Sequence, residues 1–189
     1  MSVDLEIISG PLKVYVAPAV EAMTAVGSSP AGNWVLLGTS GDLNYTEEGV
    51  TIRGEHSTEV WRSLGSPYPR KSFRPEADTF VDVVVADMSL THLRVAFNNN
   101  VVVADSGFDY LSMDQGLEPT EHSLMVRGTG NSPLFSGSNM QYEIEKCVQI
   151  GNTEMVFVKG EPVGVQFTFQ LIYNESGSFP VGRIVEADA

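Results

Sequence analysis

The side chains in this sequence that could do chemistry are three histidines, a single cysteine and a surplus of carboxylates. His56, His92 and His122 are scattered and show none of the short spacings by which zinc sites are built. His56 with Glu59, or Glu121 with His122, gives two potential ligands, and two ligands do not make a site. His92 is expected to face solvent or to pack at the edge of a helix. Cys147 falls among the polar positions of its strand with no histidine near it in sequence, which does not suit a nucleophile. Acid pairs are plentiful because acids are plentiful, and none stands out as a general acid and base. The glycine clusters GTSGD and RGTGNSP lack the lysine and the strand–loop–helix order of a phosphate cradle. No catalytic, cofactor or metal residue is assigned, and the chain is expected not to be an enzyme.

What remains is a question of shape and surface. The chain has 189 residues, with 24 acids against 11 bases and a formal net charge of -13. That balance argues against a protein that grips nucleic acid, because neutralising phosphates takes clustered Lys and Arg. One cysteine excludes an intrachain disulfide and fits a reducing site of synthesis. The start, MSVDLEII, carries acids where a signal peptide needs bases, and no apolar run approaches a membrane span. The expectation is one soluble domain over residues 1–189, made in the cytoplasm, with no membrane partner.

The segment from Arg70 to Asn100 organises the rest. It opens with a basic knot, Arg70, Lys71 and Arg74. Ala77 to Ala86 then alternates with a period of two and is rich in β-branched residues, which predicts a long strand. Asp87 or Ser89 can cap a helix whose apolar face is Leu90, Leu93 and Phe97, and Asn98, Asn99 and Asn100 stop it. No other helix is convincing. Leu12 to Val16 predicts a strand ended by Pro18, and Leu43, Tyr45, Val50 and Ile52 flank Glu47-Glu48-Gly49 as a hairpin. Gly54 to Pro75 reads as a long polar loop whose prolines oppose regular pairing over much of it, with Glu59 to Ser63 a candidate extended segment. Its aromatics Trp61, Tyr68 and Phe73 are what a contact surface uses. Val101 to Ala104 predicts a strand, Asp105 to Glu121 an acidic loop, and Met140 to Ile150 an alternating strand turning at Gly151-Asn152 into Met155 to Val158. The cleanest alternation puts Val163, Val165, Phe167, Phe169, Leu171 and Tyr173 on one face of a core strand. The fold class is mainly β: an antiparallel β-sandwich or barrel with one short helix alongside.

The passages WVLLGTSGDLNYTEEGVTI, TFVDVVVADMSL with its continuation THLRVAF, and PVGVQFTFQLIYN running to GRIVEAD resemble the major tail (tail tube) proteins of long-tailed, siphovirus-type bacteriophages. The resemblance spans most of Trp34 to Asp188. It implies a structural virion protein, made in the host cytoplasm, whose hexameric rings stack into the tail tube through which DNA passes without sequence-specific binding. Its implied partners are further copies of itself, a tape-measure protein, a tail terminator and tail-tip proteins. The chain ends just after Asp188, so no C-terminal decoration domain is expected. Inter-subunit contacts are expected at Arg70, Lys71, Arg74, Trp61 and Tyr68, with Glu47 and Glu48 and the Asp105 to Glu121 loop as candidate partners of the bases. Two other readings stay open: a head–tail joining or tail-completion ring protein, and a β-sandwich binding module using Trp34, Trp61 and Tyr68 as an aromatic platform.

Overall fold

A computed structural model describes residues 12–38, 45–86, 89–128, 140–153, 155 and 163–186. Twelve strands and one helix follow in order: β1 (Leu12–Pro18), β2 (Val35–Leu36), β3 (Tyr45–His56), β4 (Glu59–Trp61), β5 (Lys71–Phe73), β6 (Ala77–Val85), α1 (Leu90–Ala96), β7 (Val102–Asp105), β8 (Phe108–Leu111), β9 (Glu121–Gly128), β10 (Met140–Gln149), β11 (Val165–Leu171) and β12 (Arg183–Glu186). The protein is mainly β and every described strand pairing is antiparallel.

Eight strands form one sheet in the order β2-β1-β9-β10-β11-β6-β3, with β12 also on β10. Val14 and Val16 from one end of that path share a core with Val81, Val83 and Val85 from near the other end. Strands so far apart along the ladder meet only if the sheet curls over on itself, which is the sandwich arrangement. The bend is visible in β10. Its first half, Met140 to Glu143, pairs with β12, and its last three residues, Cys147 to Gln149, pair with β11. Between them Glu145 and Lys146 stand opposite Ser123 alone, a bulge that turns the strand.

The bulge is held by buried polar groups. The Glu145 carboxylate accepts hydrogen bonds from Asn174 Nδ2 at 3.0 Å and from the Ser178 backbone at 3.1 Å, and so fastens the β11–β12 connection to β10. Ser123 Oγ donates to the Glu145 carbonyl at 2.8 Å. Both faces of β9 are covered, which is why it reads as nearly continuously buried. Leu124 and Val126 face the main core, while Met125 packs with Ala17 and Trp34 under the 19–34 loop. Trp34 Nε1 donates to the Ala22 carbonyl at 2.9 Å, and buried Gln141 donates to the Thr24 carbonyl at 2.9 Å, pinning that loop down.

In β11, Val165, Phe167 and Phe169 are buried, and the two phenylalanine rings lie 6.2 Å apart. Val163 precedes the strand and is half-buried, as is Leu171 at its end. Tyr173 departs from the expected core face and is exposed, because pairing stops at Leu171 and the chain turns away toward β12. The helix also differs from expectation. Its buried residues are His92, Val95 and Ala96, with Phe97 buried as the C-cap; Leu93 is half-buried against the core and Leu90 half-buried at the first turn. His92, expected at the surface, is buried and bonds Ser89 Oγ through Nδ1 at 2.6 Å. Asn98 and Asn99 take the left-handed conformation that ends the helix, at φ 53° and 58°.

Two loop expectations are also corrected. Glu47-Glu48-Gly49 is no hairpin turn but an irregular stretch inside β3, between the Tyr45–Val85 and Val50–Val83 pairs with β6. Gly49 supplies the positive φ, 61°, that the irregularity needs. Asp105 to Glu121 is not all loop: Ser106-Gly107 closes a hairpin between β7 and β8, with Gly107 at φ 99°. The expected strand from Met155 to Val158 lies, apart from Met155, outside the described residues, as does Asp87.

Candidate assembly interface

The groups that sequence marks for chemistry are dispersed or buried in structural roles. His56 ends β3 at the surface. Burial, aided by the Arg94 charge, holds His122 down to about 4, partly countered by a hydrogen bond to the Ala17 backbone. Cys147 is completely buried, its thiol donates to the His122 carbonyl at 3.3 Å, and burial pushes its pKa up. Among the described residues no three His, Cys, Asp or Glu side chains come together as a metal site. A cleft between β1, β2 and α1 holds His92, Arg94 and His122 but no carboxylate.

The surface is different. The pairing of β3 with β6 runs to His56–Ala77, and the Ser57 backbone N–H then donates to the Glu76 carbonyl at 3.2 Å. After a shift of one residue the ladder resumes as β4 with β5, through Glu59–Phe73, Val60–Ser72 and Trp61–Lys71. The Arg70 N–H donates to the Trp61 carbonyl at 2.9 Å. Residues 57–76 are thus a distal continuation of the β3–β6 hairpin, an arm rather than the unpaired loop expected over Gly54 to Pro75. The prolines lie outside the paired residues: Pro67 and Pro69 in the tip, Pro75 in the shifted step.

The arm buries neither face. Cross-strand partners share a face, so Glu59, Trp61, Lys71 and Phe73 lie on one side and Val60 and Ser72 on the other. All six are exposed, Trp61 by 53%, and Tyr68 and Leu64 stand out at the tip. Arg62, Arg70, Lys71 and Arg74 are exposed and, among the described residues, enter no ion pair. The structure therefore brings Trp61, Tyr68, Arg70, Lys71 and Arg74 onto one projection, and adds Val60, Arg62 and Leu64. Glu47 and Glu48 lie at the far end of β3 from the arm, with side chains outside the described residues.

A second exposed apolar face went unread in the sequence. In the β7–β8 hairpin Val102 and Leu111 turn toward the body, Leu111 reaching the core. Val103, Asp105, Phe108 and Tyr110 form the other side, all exposed. The Phe108 and Tyr110 rings are 6.3 Å apart. The alternation of Phe108 with Tyr110 after Ser-Gly was the available signal. Asn98 and Asn100 hold the loop that follows. Asn98 Nδ2 donates to the Gln115 and Glu118 carbonyls at 2.6 and 2.9 Å, and Asn100 Nδ2 to those of Ser112 and Asp114 at 2.9 and 2.6 Å.

No family model and no curated relative matches this chain. Among solved structures it is similar to a chain of the anti-feeding prophage baseplate, a cryo-electron microscopy structure symmetrised six-fold. The identity is 9% and the TM-score 0.46, over 96% of this chain and 97% of that one. At that level the likeness fixes neither family nor function.

Proposed function

We propose that the protein is a non-enzymatic structural subunit of a phage-type tail, whose copies form sixfold rings that stack into a tube for DNA. The observation that carries this reading is the arm: a paired hairpin that leaves the body with aromatic and aliphatic residues exposed on both faces. Monomeric proteins rarely leave such surface uncovered. The long edge strand β3, unpaired on its outer side among the described strands, is a second feature that association would cover. The sequence resemblance to tail tube proteins supplies the ring, the tube, the tape-measure, terminator and tail-tip partners, and the place in the virion tail.

Assembly state tests it. Purified protein is expected to give rings or tubes by negative-stain microscopy, with scattering mass rising as concentration rises. A protein that stops at single rings is instead a joining or completion protein. One that remains monomeric at every salt and concentration, and when co-expressed with its neighbours in a tail cluster, overturns the proposal.

A further inference from the structure

The arm and the β7–β8 face differ in charge as well as in position. From Arg62 to Arg74 there are four bases and no acid; from Val101 to Glu118 there are four acids, Asp105, Asp109, Asp114 and Glu118, and no base. All eight are exposed, and among the described residues none of them enters an ion pair. That segregation is notable in a chain with only 11 bases, where half of the six other described bases are already in ion pairs: Arg53 with Asp82, Lys146 with Glu121, Arg183 with Glu143.

Geometry keeps the two surfaces apart within one molecule. The arm joins β6 at Ala77, and α1 with β7–β8 follows from its other end at Val85. Nine extended residues separate those ends by roughly 26 Å. Each surface also carries apolar side chains that no described residue of its own chain covers: Trp61, Leu64, Tyr68 and Phe73 on the arm, Val103, Phe108 and Tyr110 on the hairpin.

We infer that the arm of one copy docks on the β7–β8 face of the next, its bases against Asp105, which shares that face, and against Asp114 and Glu118 of the loop that follows, and its rings against Phe108 and Tyr110. The occupant is a second copy because this chain carries both complementary halves, one at each end of the same strand. Such a contact is head-to-tail, so it propagates instead of closing as a two-fold dimer. Charge complementarity fixes register and partner choice, while the apolar residues supply most of the affinity. This inference rests on the proposed self-assembly and names the surfaces that perform it.

The test uses the full chain. Arg70→Glu with Lys71→Glu is expected to leave the melting temperature of the monomer unchanged. It should raise the concentration at which assembly begins by roughly tenfold or more, the effect of weakening each contact by a single charge-pair's worth repeated around an assembly. Adding Asp105→Lys with Glu118→Lys restores assembly toward the wild-type onset. Independently, Tyr68→Cys and Phe108→Cys, introduced together, are expected to give disulfide-linked ladders on oxidation, because the native Cys147 is buried and stays silent. Assembly with an unchanged onset in the arm variant, no rescue by the second pair, or assembled particles without ladders each overturns this docking and leaves self-assembly standing. A protein that is monomeric throughout overturns both.

Discussion

At the scale of single residues, burial sets the chemistry. His122 is neutral in the folded protein because burial lowers its pKa from 6.5 to about 4. The unfolded chain takes up that proton as the pH falls through 6.5, and the folded protein does not until about 4. Protons therefore favour unfolding, so stability is fully present above 6.5 and is lost as the pH falls toward 4. Between pH 7 and 5 the expected loss is about 2 kcal/mol, and urea midpoints should show it. His122→Gln should remove that portion of the slope; an identical slope in the variant would assign the acid sensitivity to other groups. Gly177 is a second sensitive residue. A methyl there would meet the Glu145 carboxylate and the Asn174 amide, the groups that close the β10 bulge. Gly177→Ala is expected to cost more than about 1 kcal/mol, since it displaces a partner of a buried carboxylate. A neutral effect in denaturant melts would show that the connection can shift freely.

At the scale of elements, the strands with one buried face were legible in the sequence. β1, β6, β10 and β11 announce themselves by alternation, since a pleat places every second side chain in the core. Phe167 is buried at the centre of β11. Phe167→Ala is expected to cost about 3–5 kcal/mol, measured by chemical denaturation, with a loss under about 1 kcal/mol contradicting its role. Alternation gave no guide where both faces are exposed or both covered. β4 and β5 have no buried side, so Glu59 to Trp61 and Lys71 to Phe73 carry no periodic signal; an extended Glu59 to Ser63 could be suggested, but the nearby prolines hid its pairing with Lys71 to Phe73. β9 is covered on both sides, so its buried residues run on without a period of two. The rotation of α1 was illegible for a different reason. His92 enters the interior through its bond with Ser89, a pairing that hydropathy does not register. The basic knot and its aromatics were visible as residues; their union on one arm depended on pairing between strands ten residues apart. The asparagines that end α1 have a second role that their type alone does not reveal. Asn98→Ala should leave the fold intact but speed amide exchange across residues 115–120, which its side chain holds. Unchanged exchange there would mean the loop is fixed by other contacts.

At the scale of the molecule, net charge constrains any assembly. Six copies at -13 give 6 × -13 = -78 for each proposed ring. Crowding that charge together is unfavourable unless bases are placed at the seams, and the arm is where four of them are. With those bases committed to neighbours, the lining of the proposed tube is expected to be net acidic, which would repel DNA and let it slide. A structure of the assembled particle checks this directly, and a lumen ringed by Lys and Arg would contradict it. Salt should accordingly ease like-charge repulsion while weakening the arm contact, so assembly is expected to depend on ionic strength in both directions.

The pairing of β1 with β9 has a consequence in time. Leu12 stands opposite Gly128, so the first strand finds its long partner only after more than a hundred further residues have been made. At bacterial and eukaryotic elongation rates that is a wait of roughly 6 to 20 s, during which β1 has, among the described strands, only the two-residue β2 beside it. Sheets closed by such distant segments fold in milliseconds to seconds once complete. Synthesis, not the search for the native pairing, should thus set the pace at which subunits reach the assembling pool. Refolding from denaturant by stopped-flow fluorescence, with Trp34 as an internal probe between the two strands and their loop, would measure the second interval against the first.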